Sequence, residues 1–202
     1  ERAESGAICL GTIDSWLLWQ LTQEHVFKTD YSNASRTQLM NLQTLGWDEE
    51  LAEIFGIPME CLPQICDSDS VFGYTLMGGL FEKPVPICAV LGDSHAALFG
   101  QGCLLPGMSK ATYGTGSSLM MNIGEKPTAS SHGVVTSLAW KRRGRVEYVL
   151  EGNLNYTGAV ITWLKEDMKL IQTAGETEEL ALSANPADET YLVPAFTGLG
   201  AP

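Results

Sequence analysis

The chain has 202 residues, of which 45% are hydrophobic and 18% are charged. This composition is ordinary for a soluble globular protein with one large domain or two small ones, and no stretch approaches the roughly 20 apolar residues of a membrane span. The net charge of −12 argues against nucleic-acid binding, which needs clustered lysine and arginine. We therefore expect neither a nucleic acid nor a membrane as partner.

The five cysteines are odd in number and show no Cys-x-x-Cys spacing. Cys9, Cys88 and Cys103 lie among apolar residues, which predicts buried side chains that behave as small hydrophobes. This usage favours a reducing, cytoplasmic compartment. None of the three histidines stands at metal-ligand spacing from a cysteine or another histidine, so no side-chain metal site is predicted.

The first third of the chain mixes helical and extended patterns. Thr12 is a helix cap, and the helix after it is predicted to place Trp16, Leu17 and Leu21 on one face. Short polar residues that bond their own backbone predict a loop over residues 30–37.

A strand, a turn and a helix follow the helix that Asp48 caps. The continuous apolar run Val85–Leu91 predicts a strand buried on both faces. Gly92 and Asp93 form the turn, and Ser94–Phe99 begins a helix.

The second half predicts two β-hairpins and then two helices. A hinge is expected near Gly102–Gly107. The hairpin strands are predicted over 108–113 with 117–123 and 134–140 with 146–151, the helices over 158–170 and 176–184, and a last strand over 191–193. The basic cluster of Lys141, Arg142, Arg143 and Arg145 surrounds Gly144, which predicts a solvated hairpin turn.

Asp93 is the first candidate for chemistry. Ligands of open α/β sheets bind at the carboxyl ends of strands, and Gly92 lets the backbone turn and a substrate approach. The same residues are expected if Asp93 merely caps the helix that follows.

Two glycine-rich segments are candidates for phosphate binding. Gly114, Thr115 and Gly116 offer exposed N–H groups between two strands, although a hairpin turn needs the same glycines without a ligand. Gly158 opens a helix, whose N-terminus suits phosphate, and a plain strand-to-helix connection is the alternative. The chain lacks Gly-x-x-x-x-Gly-Lys-Ser/Thr and so is not a P-loop enzyme.

Gly-Asp-Ser is also found in one esterase motif. Ser94 and His95 are adjacent on a helix and point in different directions. A hydrolase would need His25 or His132 as its base, so we disfavour this hypothesis.

Taken together, these segments resemble the FGGY carbohydrate kinases, and within them the glycerol kinases, along nearly the whole chain. The matching stretches, in an order and spacing typical of the family, are Gly11–Trp19, Asp30–Thr37, Gly92–Asp93 with Ala96–Gln101, Tyr113–Gly116 and Val193–Pro202.

The resemblance implies an α/β fold of the actin-like ATPase and ribonuclease H-like kind. It divides the chain into the end of a sugar-binding domain (1–104) and the start of a nucleotide-binding domain (105–202). The implied reaction is ATP- and Mg²⁺-dependent phosphorylation of a hydroxyl of glycerol or a related polyol or sugar, and a homo-oligomer is allowed. The implied roles are Asp93 as catalytic base and substrate ligand, Ser94 and Ser118 as substrate ligands, and Gly114, Thr115, Gly116, Gly158 and Thr162 as nucleotide ligands.

Several positions depart from the family pattern. Ser94 and His95 replace a Gln-Gln pair, Ser118 replaces a Phe, and Thr162 replaces a nucleotide-contacting Gln. Small polar residues predict a wider, wetter pocket, which keeps a longer polyol or a ketose as an alternative substrate. A non-catalytic actin-like assembly module is the other alternative.

The family's N-terminal phosphate loop, its Arg-Glu sugar clamp and its adenine site have no counterpart in these residues. We expect the chain to be an internal piece of a longer kinase and to be inactive by itself.

Overall fold

The computed structural model describes residues 2–198 as helices, short strand pairs and one larger sheet. Their α-helices are α1 (Ile13–Leu21), α2 (Tyr31–Ala34), α3 (Glu49–Ile54), α4 (Asp93–Gly100), α5 (Gly158–Glu166) and α6 (Glu176–Ser183). Their strands are β1 (Lys28–Asp30), β2 (Met40–Asn41), β3 (Gly46–Trp47), β4 (Gln64–Cys66), β5 (Gly73–Thr75), β6 (Val85–Ile87), β7 (Ser109–Tyr113), β8 (Ser117–Gly124), β9 (Val135–Arg142) and β10 (Arg145–Leu154). None of these helices is both long and apolar enough to cross a bilayer.

The two predicted hairpins are confirmed and form one antiparallel sheet with the strand order β7-β8-β10-β9. Its register pairs Lys110 with Met120, and Met120 with Glu151. Directly paired residues project from the same face of a sheet. These three side chains therefore form one row across β7, β8 and β10.

The connection between β9 and β10 is a two-residue turn of Arg143 and Gly144. Both residues have positive φ angles, 51° and 75°, as the hairpin turn that matches strand twist requires. Three cationic side chains of the predicted basic cluster, Arg142, Arg143 and Arg145, are exposed. Lys141 differs, because its ammonium lies 3.2 Å from Asp67 and is partly covered.

The other strands form three two-stranded sheets, one parallel (β1 with β4) and two antiparallel (β2 with β3, β5 with β6). The prediction of a strand buried on both faces over Val85–Leu91 is wrong. Only Val85–Ile87 is a strand, and Val85 is 40% exposed. Within residues 2–198 this strand has one neighbour, β5, and an apolar composition does not reveal how many neighbours a strand has.

Asp30 organises the segment that was predicted to be a loop. Its carboxylate is fully buried and accepts hydrogen bonds from the N–H groups of Ser32 and Asn33 at 3.0 Å. These are the N-terminal amides of α2, so Asp30 is an N-cap. The loop prediction is therefore wrong over Tyr31–Ala34, where the capping residue stabilises one turn of helix.

The first helix begins after Thr12, as predicted, but buries a different face. Leu18 is 3% exposed, whereas Trp16 is 57% exposed. The helix is oriented by polar contacts, since the Thr29 hydroxyl donates to Asp14 at 2.7 Å. A helix that is apolar on most sides gives no periodic signal for which side faces the core.

Two further sequence predictions fail. Cys103 is buried as expected, but Cys9 and Cys88 are exposed. No strand forms over residues 191–193, where Tyr191 is 84% exposed.

The core consists of two hydrophobic clusters, and each joins the first half of the chain to the second. One cluster contains Leu98, Cys103, Met120, Ala139, Trp140 and Val149. The other contains Tyr31, Ala34, Met40, Leu138 and Tyr148. Helix α4 thus packs directly on the four-stranded sheet, which fixes Asp93, its first residue, relative to β7 and β8.

Candidate active site

Asp93 is exposed at the start of α4. The residue in the cap position is Gly92, and no side chain caps this helix. One carboxylate oxygen of Asp93 accepts the N–H of Ser94 at 2.6 Å. Within residues 2–198 the other oxygen has no hydrogen-bond partner, so it is available to a ligand. The alternative in which Asp93 is the N-cap residue does not hold.

The turn before Asp93 is held by a buried polar network. The N–H of Gly92 donates to the Ser32 hydroxyl at 2.9 Å, and that hydroxyl donates to Asp30 at 2.9 Å. Ser68 donates to the same carboxylate at 2.7 Å. Satisfied buried networks of this kind are rigid, so these hydrogen bonds fix the backbone that carries Asp93.

His95 lies under the same turn and is 4% exposed. Burial, and after it the charge of Arg36, lowers the pKa of His95 from 6.5 to about 4. Its Nε2 lies 3.5 Å from the Ser137 hydroxyl on β9. The imidazole is therefore neutral near pH 7 and packs between α4 and the sheet.

This pKa predicts an acid-sensitive fold. Because the folded pKa is depressed, unfolded chains bind a proton that folded chains do not, and stability is lost as pH falls from 6.5 to about 4. We expect this window to cost about 3 kcal/mol of unfolding free energy. Urea unfolding of the full-length protein at both pH values measures it. His95→Gln should remove most of the difference, and an unchanged difference in that variant would contradict the assignment.

Ser94 has no histidine partner among the described residues. His25 stacks on Trp19 at 5.3 Å between ring centroids, and His132 is near Ser131 at 3.1 Å. Neither histidine supplies a base to Ser94, so the geometry does not support the hydrolase hypothesis.

The Gly114–Gly116 turn packs against the start of α5. The N–H of Gly158 donates to the Gly114 carbonyl at 2.9 Å, and the N–H of Ala159 donates to the Thr115 carbonyl at 3.1 Å. These helix-terminal amides are thus already used, contrary to the expectation that they are open to phosphate. Within residues 2–198 the N–H groups of Thr115 and Gly116 donate no backbone hydrogen bond, and they are the available donors.

A cleft of about 730 Å³ opens beside this turn. It is lined by Thr115, Gly158 and Thr162, together with Trp163 and Asp167. Three predicted nucleotide ligands therefore share one cavity. The predicted family segment Val193–Pro202 reaches the cleft through Phe196, and its last four residues lie outside the described part of the chain.

Ser118 belongs to a charged cluster that sequence analysis missed. Its hydroxyl donates to one oxygen of Glu151 at 2.9 Å, and the other oxygen of Glu151 lies 2.9 Å from the Arg36 guanidinium. Lys110 is buried on the neighbouring strand β7. The signal in the sequence was the presence of charged residues, Lys110 and Glu151, inside otherwise strand-like segments.

The side chains fit magnesium only in combination with a nucleotide. No three His, Cys, Asp or Glu side chains in residues 2–198 come together as a metal site. Magnesium in kinases is held by one or two carboxylates and by substrate phosphates. The phosphates of a bound nucleotide would therefore have to supply most of the ligands.

The architecture belongs to the actin-like ATPase and ribonuclease H-like class of α/β folds, and solved structures support this. A glycerol kinase from Plasmodium falciparum, solved with ADP, superposes with a TM-score of 0.84 over 91% of this chain and 37% of its own, at 34% identity. A ligand-bound xylulose kinase from Lactobacillus acidophilus gives 0.75 over 86% of this chain and 35% of its own, at 22% identity. The second likeness concerns the fold alone.

The chain belongs to the FGGY family of carbohydrate kinases. The profile of the family's N-terminal domain matches residues 1–100, and that of its C-terminal domain matches residues 109–202. Glycerol kinase 1 of Thermotoga maritima is 55% identical over 201 residues, and the glycerol kinase of Desulfitobacterium hafniense is 48% identical over 202. Both alignments cover the whole chain but 41% of the relative. The chain thus spans about two fifths of the length of these relatives.

Proposed function

We propose that the protein containing this chain is an ATP-dependent phosphotransferase that phosphorylates a hydroxyl group of glycerol or a related polyol or sugar. The observation that carries the proposal is the exposed Asp93 carboxylate on a turn fixed by a buried network. Its helix packs on the sheet that ends in the Gly114–Gly116 turn.

Asp93 acts as the general base. A carboxylate within hydrogen-bond reach accepts the proton of the attacking hydroxyl as that oxygen bonds to phosphorus. Phosphoryl transfer otherwise asks the protein for positioning and charge stabilisation. The network beneath Gly92 supplies the positioning, because it fixes the backbone of the turn that carries Asp93.

The nucleotide binds in the cleft beside α5. The N–H groups of Thr115 and Gly116 donate to phosphate oxygens. Gly114 and Gly158 have no side chains and so allow the phosphates to approach the turn closely. The Thr162 hydroxyl contacts the nucleotide further along the cleft. Magnesium bound with ATP would neutralise phosphate charge and would be held mainly by phosphate oxygens, which leaves the free oxygen of Asp93 to act as the base.

The acceptor binds between Asp93, Ser94 and Ser118. Ser118 is half-buried and its proton is used on Glu151, so toward a ligand it is a hydrogen-bond acceptor. This acceptor supports a second candidate substrate, a tetritol or pentulose, whose additional hydroxyl would donate to Ser118.

The remaining assignments are also proposals. Residues 1–104 would complete a sugar-binding domain and residues 105–202 would begin a nucleotide-binding domain. The protein would work in the cytoplasm on small-molecule substrates, without nucleic acid or membrane, and a homo-oligomer is compatible with this role.

A substrate panel tests the proposal. The full-length protein is assayed for ADP release with Mg·ATP and glycerol, erythritol, xylitol or xylulose. We expect kcat/KM for the true acceptor to exceed the others by at least about tenfold, since unpaired polar groups in a site strongly disfavour analogues. Clear preference for glycerol would end the longer-acceptor alternative, and absence of turnover with the whole panel would contradict the proposed activity.

A further inference from the structure

Lys110 is a lysine in the middle of β7 that is only 2% exposed. Lysine is almost never fully buried unless it is paired, because an ammonium loses its hydration in the interior. Its burial therefore calls for an explanation beyond the packing of β7.

The side chain points along the sheet toward the glycine turn. The ammonium donates to the Thr112 hydroxyl at 2.7 Å, and Thr112 lies two residues nearer to Gly114. The register places Lys110 in one row with Met120 and Glu151. Met120 is fully buried in the cluster that includes Leu98 of α4, so Lys110 lies on the sheet face that supports this helix.

Glu151 does not need Lys110 as a counter-ion. Both of its oxygens already have partners at 2.9 Å, the Ser118 hydroxyl and the Arg36 guanidinium. None of the ion pairs formed within residues 2–198 includes Lys110. The ammonium has three N–H donors, of which one is used on Thr112.

Asp93 is the second anion whose charge acts on Lys110. Burial lowers the pKa of Lys110, and the negative charges of Glu151 and then Asp93 oppose that effect. Asp93 makes no ion pair in the described part of the chain either. Once Arg36 and Glu151 are paired, Lys110 on β7 and Asp93 on α4, the helix that packs on this face of the sheet, are left without an ion-pair partner among the described residues.

We propose that Lys110 is a further catalytic residue, whose ammonium donates a hydrogen bond to the phosphoryl group as it passes from the nucleotide at the Gly114–Gly116 turn to the hydroxyl at Asp93. The inference rests on the proposed kinase function. In that step the bond between the γ-phosphorus and the β,γ-bridging oxygen breaks, and the bond between the acceptor oxygen and phosphorus forms. The hydroxyl proton goes to Asp93, and Lys110 keeps its own protons.

The test compares variants of the full-length kinase. Lys110→Met removes the charge and keeps most of the side-chain volume. We expect kcat to fall about 10- to 100-fold, as for loss of a hydrogen bond to a charged group, while KM for ATP and for the acceptor changes less than about threefold. Lys126→Met, which alters an exposed lysine, is the matched control and should leave kcat unchanged.

Chemical rescue separates catalysis from structure. In Lys110→Ala, added methylammonium should restore part of kcat, whereas tetramethylammonium, which has no N–H donor, should not. This comparison uses one protein preparation, so it stands even where Lys110→Met folds poorly. Normal kcat in Lys110→Met, or no rescue by methylammonium in folded Lys110→Ala, would overturn the proposal. A wild-type protein without turnover on any acceptor would instead refute the kinase function itself.

Discussion

Replacing Asp93 with asparagine should lower the kcat of the full-length kinase by about 10² to 10⁴-fold, the usual contribution of general-base catalysis. Asparagine has the same shape, and its side-chain oxygen can still accept the Ser94 N–H that Asp93 accepts at 2.6 Å. The turn should therefore stay in place, and only the basic oxygen is lost. Substrate affinity should be largely kept, because the proton is transferred in the transition state.

Steady-state assays give kcat, and calorimetry with the acceptor gives the affinity. Asp188→Asn is a suitable control, because Asp188 is also an exposed carboxylate that accepts a backbone N–H, that of Thr190 at 2.8 Å, but it lies in a loop after α6. Near-normal turnover in Asp93→Asn would remove Asp93 from the role of base. A loss of acceptor binding equal to the loss of kcat would instead make it a binding residue.

Local features were predictable from the sequence because they depend on neighbouring residues. The hairpins follow from alternation on either side of glycine turns, and the register then brings Tyr113 opposite Ser117. Helix α3 begins after Asp48, whose side chain accepts the Leu51 N–H at 3.1 Å, as its cap pattern predicted. The position of Asp93 at a helix start came from the same kind of signal.

Contacts between distant residues were not predictable. Arg36 forms an ion pair with Glu151. The Tyr148 hydroxyl donates to the carbonyl of Leu42, which lies 106 positions earlier in the sequence. No periodicity encodes such pairs, since they depend on how α2 and the sheet pack. The side of α1 that is buried and the number of neighbours of β6 were missed for the same reason. The buried side of a helix and the number of neighbours of a strand depend on the elements packed around it, whereas secondary-structure propensity describes the segment alone.

The charged cluster explains why the residue type alone does not reveal whether Ser118 donates or accepts a hydrogen bond toward a ligand. A serine in a strand could donate or accept toward a ligand. Here the Ser118 hydroxyl donates its hydrogen bond to Glu151, which Arg36 holds in turn. The direction of that hydrogen bond thus depends on Arg36, so the proposed acceptor site would need residues from both halves of the chain.

Gly158→Ala should reduce kcat/KM for ATP by about 10²-fold, the cost of a displacement of about 1 Å at a site of this kind. A Cβ at position 158 would lie 2.5 Å from the Gly114 carbonyl oxygen, a backbone atom that cannot rotate away. The start of α5 and the glycine turn must therefore separate. Their hydrogen bond, from the Gly158 N–H to the Gly114 carbonyl at 2.9 Å, would be lost or lengthened, and the Thr115 and Gly116 donors would move with the turn.

Gly100→Ala is the matched control, because Gly100 also lies in a helix and a Cβ there meets nothing within 4 Å. That substitution should leave nucleotide binding unchanged and stabilise the protein slightly, since alanine restricts the unfolded chain. Calorimetric titration with Mg·ADP measures affinity, and urea unfolding measures stability, for which overpacking at Gly158 should cost about 1–3 kcal/mol. Equal nucleotide affinity in Gly158→Ala and the wild type would place the nucleotide away from this turn, because no phosphate bound by its amides could tolerate the displacement.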